Sequence, residues 1–79
     1  MNHRELGCQI SKGMFSDERA VTCESKWGEI SVFVPRDKVH EQNGRSTVSV
    51  SAFEYDSSWW ALLPTDQPMA IPVEATAFR

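Results

Sequence analysis

The stretch Ser46-Thr47-Val48-Ser49-Val50-Ser51-Ala52 constrains this chain more than any other. Apolar and hydroxyl-bearing side chains alternate through it with period two. That period lines up residues i, i+2 and i+4 on one face of a strand, whereas a helix would scatter them around its axis. Val48, Val50 and Ala52 therefore face one way, with Thr47, Ser49 and Ser51 facing the other. Branching at Cβ in Thr and Val further favours extended backbone.

The same period recurs elsewhere. Leu6, Cys8 and Ile10 alternate with Gly7, Gln9 and Ser11, which reads as one strand. Val21 and Cys23 form the inward set of a second strand, and Ile30, Val32 and Val34 that of a third. Trp59 to Leu63 is apolar on both faces, and Ala70 to Ala75 makes a short last strand with Ile71 and Val73 inward. Gly13 to Glu18, Lys26-Trp27-Gly28 and Tyr55-Asp56-Ser57-Ser58 fall between these runs as connectors. Pro35 to Gln42 reads as a short helical turn, since Pro suits a first helical position and Asn43-Gly44 can supply positive φ at its end. Pro64, Pro68 and Pro72 keep the tail from running as a central strand.

Residues 1–79 are therefore expected to form one all-β domain. Five to six antiparallel strands in a small barrel or strongly bent sheet, with one short helical turn, fit the spacing. At 79 residues, a chain buries only about 60% of its unfolded surface, so its stability margin is thin and dimerisation would help it.

Charge and cysteine content exclude several classes of function. No apolar run approaches the roughly 18 residues needed to span a bilayer, so no membrane role is expected. The opening Met1-Asn2-His3-Arg4-Glu5-Leu6 lacks the apolar stretch of a secretory signal, there is no Asn-x-Ser/Thr sequon, and a cytoplasmic location is expected. Net charge is −3, and no Lys or Arg lies between Arg45 and Arg79, whereas Glu54, Asp56, Asp66 and Glu74 all do. Such an acidic half cannot neutralise phosphates, which argues against nucleic acid as a partner. Cys8 and Cys23 fall on inward faces of consecutive strands, near enough to be cross-strand neighbours. A disulfide or shared metal is conceivable there, but two free thiols packed as small hydrophobes is the preferred reading. His3 and His40 lack ligand spacing, so neither a metal nor a cofactor is expected. Serines are plentiful but none sits in a strand–turn–helix elbow, and no catalytic residue is assigned. An acid–base site near His40 and Glu41, or on the serine face, is the alternative reading.

Phe53, Tyr55, Trp59 and Trp60 form the most informative cluster. Adjacent strand residues point to opposite faces, so Trp59 and Trp60 cannot fill one core. Phe53 and Tyr55 share the face of Thr47, Ser49 and Ser51, opposite the valines, and Phe33 on a neighbouring strand is expected to join the outer set. Trp and Tyr are enriched at binding anchors, so these four residues are the candidate site for a protein partner or for self-association. Curvature or loops covering the rings as a second small core is the competing reading. Asp56-Ser57-Ser58-Trp59-Trp60 followed by Ile71-Pro72 resembles the back half of a Src-homology type 3 domain. That resemblance covers about a quarter of the chain and implies a small barrel with Trp59 and Pro72 lining a groove for proline-rich peptides. The first-strand motif of that family is missing, and Ile71-Pro72 is not followed by Ser-Asn-Tyr.

Overall fold

The computed structural model describes residues 2–79. Its strands are β1 (Asn2–Gly7), β2 (Gln9–Lys12), β3 (Glu18–Ser25), β4 (Gly28–Pro35), β5 (Val39–Gln42), β6 (Arg45–Tyr55), β7 (Ser58–Leu63) and β8 (Met69–Val73). Short 3-10 turns occupy Arg36–Lys38 and Ala75–Ala77. All pairing between these strands is antiparallel. One sheet runs β1-β6-β7-β8 with β5 also on β6, and the other runs β2-β3-β4. The fold is therefore all-β, as periodicity predicts, but its pairing describes two open sheets and no closed barrel.

The valine run lies in β6, and its pleat sets the inside of the molecule. Val48, Val50 and Ala52 are buried, as are Ala61 and Leu63 on β7 and Ile71 and Val73 on β8. The second sheet contributes Val21, Cys23 and Val34 to the same cluster, so the sheets pack together through their apolar faces. Phe78 closes the cluster from the tail. It bridges to Leu6, and the Arg79 amide donates to the Glu5 carbonyl at 2.8 Å. The core is entirely apolar: no polar or charged residue among those described is buried.

Two elements differ from expectation. The run Leu6 to Ile10 is broken at Cys8, whose amide donates to the Ser46 carbonyl at 3.0 Å. Alternation persists through the break while the chain leaves β6 for β3, so β1 and β2 belong to different sheets. Pro35 to Gln42 is helical only over Arg36–Lys38, after which Val39–Gln42 pairs with β6 as β5. The reason lies in β6 itself, which is 11 residues long while β7 covers only Ser51 to Tyr55 of it. Its N-terminal half would otherwise leave backbone donors and acceptors unpaired along that edge. Asn43 (φ 54°) and Gly44 (φ 77°) reverse the chain between them, which is the two-residue turn whose twist matches a hairpin.

Candidate interaction surface

The outer face of the first sheet is built on register. Phe53 on β6 lies directly opposite Trp60 on β7, and Trp60 lies opposite Pro72 on β8. The Phe53 and Trp60 rings are nearly parallel, 9° apart with centroids at 6.4 Å. The Trp60 indole N–H donates to the Tyr55 carbonyl at 3.3 Å, which fixes the ring across the hairpin. That hairpin turns through Asp56 (φ 53°) and Ser57 (φ 63°).

Trp27 is the member that local pattern does not reveal. It lies in the β3–β4 turn, shaped by the Ser25 hydroxyl, which accepts from the Trp27 amide at 3.0 Å and donates to the Gly28 carbonyl at 2.7 Å. The Lys26 amide donates to the Pro72 carbonyl at 2.8 Å, docking the turn of one sheet on the edge strand of the other. Trp27 consequently meets Trp60 edge-on, with centroids at 5.8 Å and planes at 76°. Only tertiary contact brings these two together, since they are far apart in sequence. Phe53 and Trp60 are half-buried, whereas Trp27 is 64% and Tyr55 67% exposed.

Trp59 occupies the opposite face. It packs on the core, meets Phe78 edge-on at 5.8 Å, and has the Arg4 guanidinium 5.9 Å from its ring centroid. Trp59 pairs with Val73 while Pro72 pairs with Trp60. Trp59 and Pro72 therefore stand on opposite faces of the sheet, and the groove implied by the Src-homology type 3 resemblance is not formed by them. Phe33 does not join the outer aromatic set either. It is 49% exposed on β4, which pairs only with β3 in the other sheet.

A polar cluster lies elsewhere on this outer face. Glu5 Oε2 accepts from the Ser49 hydroxyl at 2.8 Å and lies 3.0 Å from His3 Nε2, and its Oε1 accepts from the Thr47 hydroxyl at 3.0 Å. His40 Nε2 is 3.1 Å from the Ser49 oxygen and 3.9 Å from the Glu5 carboxylate. Burial pushes the Glu5 carboxyl up, but the hydrogen bonds from Ser49, Thr47 and His3, with the nearby His40, outweigh it and hold it below its ordinary value. The Ser49 proton points at Glu5, so His40 can meet that hydroxyl only by donating to it. A nucleophile would need the reverse polarity, with the imidazole accepting. Glu41 pairs with Ser46 and has the opposite facing from His40. Among the described residues no three His, Cys, Asp or Glu side chains converge as a metal site. No helix there is long and apolar enough to cross a membrane.

Fold and surface together define a small two-sheet antiparallel β protein with an aromatic outer face. Comparison with protein-family models, curated proteins and solved structures gives no match.

Proposed function

We propose that this chain is a non-catalytic interaction module whose outer aromatic face, Phe53, Tyr55 and Trp60 joined by Trp27, binds a protein partner bearing basic side chains. One observation carries the reading. Four rings gather on the face opposite the core, and Trp27 and Tyr55 remain about two-thirds exposed. An exposed Trp packed edge-on against a half-buried one, with an exposed Tyr at the end of the same strand face, has the composition of a binding anchor. The partner's charge follows from the surroundings. Asp56 follows Tyr55 in the turn, no Lys or Arg lies between Arg45 and Arg79, and Lys26 is the basic residue next to the patch in sequence. Acidic groups beside indole faces favour Lys and Arg through charge complementarity and cation–π contact. Trp59, a candidate on sequence grounds, supports the patch from the core side of the sheet.

The test compares Trp60→Ala and Trp27→Ala with the parent, titrating each with a lysine- and arginine-rich peptide and with a glutamate-rich one. Trp60→Ala is expected to stay folded and to weaken binding of the basic peptide by roughly tenfold or more, a hot-spot loss of at least about 1.4 kcal/mol. Equal affinity for both peptides, or unchanged affinity in Trp60→Ala, would overturn the reading. A concentration-dependent rise in light-scattering mass that Trp60→Ala abolishes would assign the patch to self-association instead.

The acid–base alternative is favoured by one contact, His40 to Ser49 at 3.1 Å. It takes second place because the serine proton is directed at Glu5. It requires an activity that His40→Ala removes without a change in thermal stability.

A further inference from the structure

We propose that Cys8 and Cys23 are a dithiol pair that a small-molecule disulfide of the glutathione class converts, within the folded protein, into an intramolecular disulfide. The inference is independent of the aromatic face. Gln9 pairs with Thr22 and Ile10 with Val21, so continuing that register by one position brings Cys8, just ahead of β2, alongside Cys23. Residues opposed in an antiparallel pair have Cα atoms about 4.5–5.5 Å apart. That spacing lies inside the roughly 4.4–6.8 Å span that a disulfide accepts. Both cysteines are free, and each thiol is close enough to shift the titration of the other.

Their exposures differ, and the difference orders the chemistry. Cys23 is 1% exposed, whereas Cys8 is half-buried and lines an open cleft of about 450 Å³. Cys8 is thus the sulfur that an external disulfide can reach. The neighbouring Cys23 and burial push the Cys8 thiol up, so the first step runs through its minor thiolate fraction. That thiolate attacks one sulfur of the reagent, forms a protein–glutathione mixed disulfide and releases one glutathione thiol. Cys23, as thiolate, then attacks the Cys8 sulfur and expels the second glutathione. Two protein thiols are oxidised by two electrons, the reagent is reduced to two thiols, and the two protons pass from the protein thiols to the departing glutathione sulfurs. Because the Cys8 amide is bound to Ser46 on β6, the new bond would tie β3 to the point where the chain crosses between sheets.

The native protein is incubated with oxidised glutathione, quenched by alkylation and weighed intact. The expected product is a monomer lighter by two hydrogen atoms, with no alkylated thiol and a melting temperature several degrees above that of the reduced form. Cys23→Ser should hold the mixed disulfide at Cys8, and Cys8→Ser should resist the reagent while folded. Two alkylatable thiols persisting in the folded parent, oxidation only in denaturant, or a disulfide-linked dimer as the main product would each overturn the proposal.

Discussion

At the scale of single residues, the polar outer face contributes a pH-dependent contact through Glu5. Glu5 has its carboxyl held below the ordinary glutamate value of 4.5. A carboxylate with a lowered folded pKa adds stability that is fully present above its unfolded value and is lost as pH falls through the folded one. Thermal melts of Glu5→Gln should therefore fall below the parent near neutrality and converge with it under acid. Parallel curves from neutral pH to acid would show that the hydroxyl and imidazole contacts do not discriminate the charged form. The turn residues make a second prediction. Gly44 has φ 77°, and a Cβ added there would meet nothing within 4 Å, so only backbone conformation opposes a side chain. Gly44→Ala should cost about 1 kcal/mol in denaturant unfolding, the usual penalty of a Cβ in left-handed backbone. No measurable loss would mean that the hairpin relaxes to another turn. Both features are partly legible in the sequence. Asn43-Gly44 announces a positive-φ turn, but nothing local reveals that Glu5 will be met by Ser49, 44 positions away.

Individual strands show how the pleat divides labour. In β7, Leu63 is fully buried while Leu62 is half-buried on the outer face opposite Ser51. Leu63→Ala should cost about 2–5 kcal/mol, the usual range for a core leucine, and Leu62→Ala should cost clearly less. Urea unfolding of the two variants decides it, and equal losses would place the outer face in a core of its own. The same division separates Trp59 from Trp60. Trp59→Ala removes core packing against Phe78 and the Arg4 guanidinium, and should lower the melting temperature more than Trp60→Ala does. Sequence alternation predicts that these neighbours face oppositely, because period two leaves no other choice in a strand. It does not say which of them is inside. Register with Ala52 and Ile71 decides that, by setting Trp59 and Ala61 on the valine side.

For the molecule as a whole, the two sheets share one apolar cluster and are tied by the Lys26 to Pro72 hydrogen bond. Neither sheet has a second core to fall back on, and at this size total stability is on the order of 4–12 kcal/mol. Unfolding should accordingly be a single cooperative transition. Tryptophan emission of a Trp27→Phe variant, which retains only Trp59 and Trp60 in one sheet, and amide exchange of β3 in the other should report the same midpoint. Separate midpoints would mean that the three-stranded sheet melts on its own.

The residues alone determined the all-β class, the inward set Val48, Val50, Ala52, Ile71 and Val73, and the outward facing of Phe53 and Tyr55. Each follows from side-chain period, which is a property of consecutive residues. That period does not fix the count of strands, which is eight among the described residues where five to six are expected. Partners were beyond that reach. Whether Leu6 to Ile10 stays in one sheet, whether Val39–Gln42 coils or pairs, and whether Trp27 stands alone or on Trp60 all depend on which backbone edge lies alongside. Pairing is settled by non-local hydrogen bonds and by burial of a common core, and these exist only once distant segments have come together.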